Sequence, residues 1–231
     1  MVLIETASEW EELNQRYRSE KVSVWWVLEN WDEYKDVDPC RIKENISIAL
    51  AKEDYKGSVS ISCYVDEVNA TKIPEHVLTD LSSSGISTNH YPKDEKPVML
   101  IVDMLRWAES NPPPANYLFI FNDDDDYDAG FTYAIDYLLC CKYNILLASP
   151  EACAPSLVSL SKRVWLVRSL FSGESPASEE QVMKLRGSDS DEEVPILMGD
   201  STTGAPILRL NSKSVCRRRH HEEAVNLLIG L

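Results

Sequence analysis

Apolar runs rich in β-branched and aromatic residues alternate along this chain with segments of helical periodicity. Six of these runs predict strands, at residues 22–28, 58–64, 86–91, 117–121, 144–148 and 164–167. Strands that alternate with helices are typical of a parallel sheet that is covered on both faces. We therefore predict an α/β fold of three layers with a mostly parallel central sheet.

The clearest helix signal follows the first predicted strand. Asp38 is a capping residue, Pro39 suits the first helical position, and Gly57 marks the end of the pattern. Between them, four apolar residues recur on one helical face: Ile42, Ile46, Ala49 and Leu50. We expect this helix to pack on the sheet. A second helical pattern around residues 100–107 must end before the three prolines at 112–114.

The composition changes near residue 173, where Ser, Glu, Asp and Pro become frequent. Residues 187–193 read Gly-Ser-Asp-Ser-Asp-Glu-Glu, and such a segment buries too little apolar surface to offset the entropy lost on ordering. The sequence therefore predicts a lead-in at residues 1–20, a folded domain at 21–172, and an acidic flexible linker with a C-terminal tail at 173–231. Two roles for the tail stay open: it folds back on the domain, or it binds a protein partner.

The net charge of -15 and the pI near 4.7 argue against a protein that finds nucleic acid through a general basic surface. Any contact with RNA is expected to be local or bridged by a metal ion. The six cysteines form no Cys-x-x-Cys pair, so we expect reduced thiols in an intracellular protein, with the cytoplasm as the default compartment. No apolar stretch approaches the ~18 residues of a membrane span, so none is predicted.

Residues 23–30, Ser-Val-Trp-Trp-Val-Leu-Glu-Asn, predict a buried strand that brings Glu29 and Asn30 to its carboxyl end. Open α/β sheets place their functional sites at that edge. Further blocks follow in the chain, among them Leu-Ser-Ser-Ser-Gly-Ile at 81–86, Val-Asp-Met-Leu at 102–105 and Tyr-Asn-Ile-Leu-Leu-Ala at 143–148. In these blocks and their order the chain resembles the NYN domain family, and within it the plant and animal members of the limkain-b type, also called meiosis regulator and mRNA stability factor.

This resemblance implies a PIN-like Rossmannoid fold and a metal-dependent endoribonuclease that cuts single-stranded RNA in RNA turnover and the regulation of gene expression. In such a site, carboxylates from several strand ends hold Mg²⁺ or Mn²⁺, which activates a water molecule and polarises a phosphate. The first aspartate of the family pattern corresponds to Val27 in this chain, and a valine side chain has no oxygen for a metal.

Most of the remaining site residues are implied by matching the family pattern position by position; Glu29 is added because it lies two residues after Val27 on the same side of the strand, and Asp126 because it belongs to the acidic run. Asp103 matches one acid, while a second falls on Asp123 or on Asp128, depending on which side of an insertion the residues are counted from. The implied metal ligands are Glu29, Asp103, Asp123, Asp126 and Asp128, and Asp103, Asp123 and Asp128 are the implied catalytic residues. Asn30 and Asp66 are implied as substrate-binding residues.

The acidic run at residues 123–128 has two interpretations. Closely spaced carboxylates repel one another, and a bound cation would relieve that repulsion. A solvated loop whose charges stay apart in water is the alternative.

Two functional hypotheses follow: an endoribonuclease that uses Mg²⁺ or Mn²⁺, or a catalytically inactive NYN module that binds RNA or protein partners. The resemblance also implies an association with peroxisomes, but the final residues Ile-Gly-Leu are not a Ser-Lys-Leu signal.

Overall fold

The computed structural model describes residues 7–92, 96–121, 129–150 and 155–185, and among these the side chains of 12–92, 98–121, 130–150 and 157–185. All of these residues belong to one compact unit, Met1–Asp189. Among the helices of the described part, none is long and apolar enough to cross a membrane.

Six parallel strands form a single sheet in the described part of the chain, which confirms the predicted fold class. The strands are β1 Val22–Val27, β2 Val59–Asp66, β3 Ser87–Tyr91, β4 Asn116–Ile120, β5 Asn144–Ser149 and β6 Arg163–Leu166. Their order in the sheet is β3-β2-β1-β4-β5-β6, and every neighbouring pair is parallel. Each predicted strand is present, and its ends differ from the prediction by at most two residues.

Helices connect the strands and cover both faces of the sheet. They are α1 Ala7–Ser19, α2 Ile42–Lys52, α3 Glu67–Ala70, α4 Glu75–Ser83, α5 Lys96–Ser110, α6 Ala129–Cys140, α7 Pro155–Leu160, α8 Val167–Phe171 and α9 Glu179–Leu185. The capping role predicted for Asp38 is confirmed, although Asp38 caps a short 3-10 turn, Pro39–Arg41, that leads into α2. The four apolar residues predicted for one face of α2 are all buried.

Two apolar layers result from the alternation of side chains along the strands. In β1, Val24 and Trp26 face the helices α1, α2, α4 and α8, whereas Trp25 and Val27 face α5, α6, α7 and α9. Every residue of β1, β4 and β5 is buried. Such continuous apolar runs are the pattern of strands that are covered on both faces, which explains why the sequence predicted them well.

The predicted lead-in at residues 1–20 contains a packed helix, α1. Tyr17 is buried in the core, and its hydroxyl donates a hydrogen bond to the carbonyl of Lys142 at 2.5 Å. At the end of α1, the side-chain amide of Asn116 on β4 donates to the carbonyls of Tyr17, Glu20 and Lys21 at 2.9, 3.2 and 3.1 Å. These long-range contacts join the helix to the sheet, so the lead-in is part of the domain.

Residues 173–185 also pack on the domain, although the sequence analysis placed them in the flexible linker. The amide of Ala177 donates to the carbonyl of Val164 at 2.8 Å, and Leu185 of α9 lies in the core beneath α7. The reason is that Val182 and Leu185 supply an apolar face that composition alone did not reveal. The acidic stretch at 187–193 and the tail lie outside the described residues. Both roles considered for the tail therefore stay predictions.

Candidate functional site at the carboxyl edge of the sheet

The strand order creates a crevice at the carboxyl ends of β1 and β4. From β1 the chain continues to β2 on one side, and from β4 it continues to β5 on the other. The loops that follow β1 and β4 therefore leave the sheet in opposite directions. Open α/β sheets bind their ligands in the crevice between two such loops. Glu29 and Asn30 follow β1 at this edge, whereas residues 122–128 after β4 lie outside the described residues.

Asn30 stabilises the loop that leaves β1. Its side-chain oxygen accepts a hydrogen bond from the amide of Asp32 at 3.0 Å, and its side-chain amide donates to Glu33 at 3.3 Å. The residue is exposed at the edge of the crevice, and Glu29 beside it is half-buried. Both predicted residues thus lie at the expected edge, and their roles toward metal and substrate stay predictions.

Val27, which the sequence analysis matched to the first aspartate of the family pattern, is part of the apolar core. It is only 1% exposed and lies in the layer that contains Trp25, Tyr64 and Phe119. A carboxylate at this place would be surrounded by hydrocarbon and would need a cation or a hydrogen-bond donor to offset its desolvation. The side chain of Val27 therefore contributes to packing and offers no oxygen to a ligand.

Asp103 lies on α5 and is held by two donors. The hydroxyl of Tyr64 donates to its Oδ2 at 3.1 Å, and Arg106 one turn further along the helix donates to its Oδ1 at 3.4 Å. Tyr64 pairs with Val27 in the register of β1 and β2, so Asp103 is anchored beside Val27 at the end of β1. The side chain of Asp103 is 30% exposed, so solvent still reaches part of it.

Tyr64 is a dependable donor for this contact. Burial, and secondly the charge of Asp103, raise the pKa of Tyr64 well above its usual range. The hydroxyl therefore keeps its proton at neutral pH and stays a donor. The sequence analysis missed this pair, because the two residues are 39 positions apart. The only signal was a tyrosine near the end of a predicted strand.

Asp66 has a local structural role at the end of β2. Its Oδ1 accepts hydrogen bonds from the amides of Val68 and Asn69 at 2.8 and 2.7 Å, and its Oδ2 accepts from the side-chain amide of Asn69 at 2.5 Å. It is therefore the cap of α3, and it is only 6% exposed. Its assignment as a substrate-binding residue stays a prediction, although the cap alone accounts for an aspartate at this position.

The acidic run predicted as the rest of the site falls on residues that the structure does not describe. Asp123, Asp126 and Asp128 all lie between 122 and 128. Within the described ranges, no group of three or more His, Cys, Asp or Glu side chains could hold a metal ion. Mg²⁺ prefers six oxygen ligands, so Glu29 and Asp103 would need further oxygens from this run or from water to bind it.

Comparison with known families identifies the architecture around this edge. The model of the NYN domain matches residues 21–165, a range that includes β1 to β5, all of β6 except its last residue, and the crevice between β1 and β4. No curated protein matches the chain.

Proposed function

We propose, from the premise that this chain belongs to the NYN domain family of PIN-like nucleases, that it binds single-stranded RNA at the carboxyl edge of its sheet and has lost most or all metal-dependent cleavage. The observation that carries this proposal is the burial of Val27 in the apolar core, at the position that the resemblance gives to a metal-binding aspartate. Loss of one carboxylate removes a ligand and a negative charge, and both changes lower the affinity for a divalent cation.

The finer placement is part of the same proposal. From the order of the sequence blocks, we infer that this chain is a member of the limkain-b type. We infer further that it acts in RNA turnover and the regulation of gene expression in the cytoplasm. The chain carries a net charge of -15, so the RNA contact is expected to be confined to the crevice and its immediate rim rather than spread over the surface.

A second candidate is an active endoribonuclease that uses Mg²⁺ or Mn²⁺. The observation in its favour is the position of Asp103, which Tyr64 holds beside Val27 with part of its carboxylate open to solvent. In this case Glu29, Asp103 and an aspartate of the 123–128 run would share the cation. When bound, the cation would supply Lewis-acid stabilisation of the phosphate and a water molecule of lowered pKa.

One experiment separates the two candidates. Full-length protein is incubated with a fluorescently labelled single-stranded RNA in Mg²⁺, in Mn²⁺ and in chelator, and both binding and cleavage are measured in each sample. The variants are Val27→Asp, which restores the carboxylate, and Val27→Asn, which has nearly the same shape without the charge. Asp103→Asn tests the held acid, and Glu109→Gln on the exposed part of α5 is its matched control.

The proposal predicts RNA binding in chelator without cleavage in any metal by the natural chain. Val27→Asp should gain cleavage in Mn²⁺, whereas Val27→Asn should not, and thermal melting of both variants shows whether they remain folded. Metal-dependent cleavage by the natural chain that Asp103→Asn abolishes and Glu109→Gln leaves intact would overturn the proposal in favour of the active enzyme. Absence of RNA binding under every condition would overturn both.

A further inference from the structure

A polar pocket lies at the amino edge of the sheet, on the side opposite the crevice. It is lined by Asn14, Arg18, Glu53, Tyr55, Lys162 and Arg163, and its volume is about 230 Å³. These residues precede or begin β1, β2 and β6, so the pocket is separated from the crevice by the length of the strands. For β5, with six residues, that length is roughly 20 Å.

The pocket concentrates positive charge in an otherwise acidic protein. Three of its six lining residues are cationic, and one carboxylate among them, Glu53, pairs with Nε of Arg163 at 3.0 Å. Arg18 has a longer ion pair of 3.8 Å with Asp54, whose side chain is more than half exposed. Lys162 donates a hydrogen bond to Asn14. The pocket therefore carries more positive than negative charge in a chain whose net charge is -15.

The guanidinium group of Arg163 is only partly engaged by the described residues. Its Nε is bound to Glu53, and its Nη1 donates to the carbonyl of Lys162 at 3.3 Å. No acceptor for its Nη2 is present among the described residues. Guanidinium groups bind tetrahedral oxyanions through several N–H donors at once, which makes such a group a strong phosphate ligand.

Tyr55 adds a buried neutral donor to the same pocket. It is 6% exposed, and its hydroxyl oxygen accepts a hydrogen bond from the side-chain amide of Asn144 at 3.1 Å. That amide also donates to Asn116 at 2.8 Å, so a buried polar chain fixes the orientation of the hydroxyl. Among the described residues, the hydroxyl proton has no acceptor. A buried donor without an acceptor is costly, and a ligand oxygen in the pocket would satisfy it.

The hydroxyl of Tyr55 remains protonated at neutral pH. Burial is the main cause that raises the pKa of Tyr55, and it outweighs the hydrogen bond from Asn144 and the charge of Arg163, which lower the pKa. The pocket thus combines two guanidinium groups, one ammonium group and one neutral O–H donor. This set of donors matches an anion that presents several oxygen atoms.

We propose that this pocket binds a phosphate group, either free phosphate or the terminal phosphate of a mononucleotide, through Arg18, Lys162, Arg163 and the hydroxyl of Tyr55. The volume is below the 300 to 1,000 Å³ or so that is usual for larger ligands, and it equals several water molecules of about 30 Å³ each. A phosphate group with part of its hydration therefore fits. The site is independent of the RNA-binding function proposed for the opposite edge.

The test is a calorimetric titration of the full-length chain with inorganic phosphate and, separately, with adenosine monophosphate in a chloride buffer of constant ionic strength. The variants are Arg18→Gln, which removes one charge from the pocket, and Tyr55→Phe, which removes only the hydroxyl. Arg41→Gln is the matched control, because Arg41 is an exposed cation, is absent from the pocket lining and has a similar ion pair with Glu44 at 3.5 Å.

We expect saturable binding of phosphate by the natural chain and by Arg41→Gln. Loss of one charge-assisted hydrogen bond should weaken binding about tenfold in Arg18→Gln, and loss of a neutral one about threefold to tenfold in Tyr55→Phe. Tighter binding of the nucleotide than of phosphate would identify the mononucleotide as the source, and equal binding would identify the phosphate group alone. Both results support the site.

Two results would overturn the site. One is the absence of saturable binding by the natural chain with either probe. The other is an equal loss of affinity in Arg18→Gln and Arg41→Gln, which would indicate a diffuse effect of net charge. Arg18→Gln removes an exposed ion pair of 3.8 Å and an exposed hydrogen bond to Gln15 at 3.4 Å, so it should fold normally even if Tyr55→Phe does not.

Discussion

Replacement of Asp66 distinguishes a structural cap from a residue that binds substrate. In Asp66→Ala, the amides of Val68 and Asn69 and the side-chain amide of Asn69 lose their acceptor. Because Asp66 is 6% exposed, water replaces the lost carboxylate poorly. Loss of an N-cap costs about 1 kcal/mol, and the further bond between a charged oxygen and Asn69 contributes about 1–2 kcal/mol.

We therefore expect Asp66→Ala to lower the free energy of unfolding by about 2–3 kcal/mol. For a chain of this size, that corresponds to a fall in melting temperature of roughly 4–12 °C. Asp66→Asn keeps one acceptor oxygen and should lose about half as much. The assay is urea denaturation followed by far-ultraviolet circular dichroism, in which the midpoint should fall while the slope stays unchanged.

The control is Glu67→Ala, which removes an exposed carboxylate from the next position and should change stability by less than about 0.5 kcal/mol. RNA binding measured on the same variants completes the test. The reasoning is refuted if Asp66→Ala unfolds at the midpoint of the natural chain but loses RNA affinity, because that result would assign Asp66 to the substrate rather than to α3.

Three further predictions concern the framework that holds the site. Asn116→Ala should lower the free energy of unfolding by about 2–4 kcal/mol in urea, since three backbone carbonyls lose a buried donor; a loss below about 1 kcal/mol would show that water replaces the amide. Gly57→Ala should cost about 1–3 kcal/mol in a thermal melt, because its Cβ would lie 1.9 Å from the carbonyl oxygen of Glu20, and natural stability would contradict that close approach. Burial raises the pKa of Tyr64 and Tyr117 above 10.0, so the protonated form of each side chain favours the folded state. Their contribution to the free energy of unfolding should be complete below about pH 10 and decline as the pH rises further. An unchanged urea midpoint at higher pH would contradict this prediction.

The strands were predictable because each is covered on both faces. Burial on both sides demands an almost unbroken apolar run, and β1, β4 and β5 show it directly in the sequence. The helix α2 was predictable for a similar reason, since one apolar face and a capping aspartate are local signals. The helix α1 and the segment at 173–185 escaped prediction because their packing depends on partners far away in the chain, such as Lys142 for Tyr17.

The candidate site was predictable only in part. The position of Glu29 and Asn30 at a strand end follows from a local pattern, and the match of Val27 to an acid of the family pattern is a prediction from the resemblance. That Val27 is buried, that Tyr64 holds Asp103, and that Asp66 caps a helix are facts of tertiary structure. Each depends on which side chains the fold brings within hydrogen-bond or contact distance.

The sequence by itself determined the α/β class, the number and places of the strands, and the edge at which a site would form, because these follow from short-range periodicity and from the rule that parallel strands share their carboxyl edge. Only the tertiary structure decided which groups hold Asp66 and Asp103 at that edge and which residues assemble the cationic pocket at the other. Arg18, Tyr55 and Lys162 come from three separate parts of the chain, and no local pattern indicates that they meet. These residues line one pocket only after the chain has folded and brought them together.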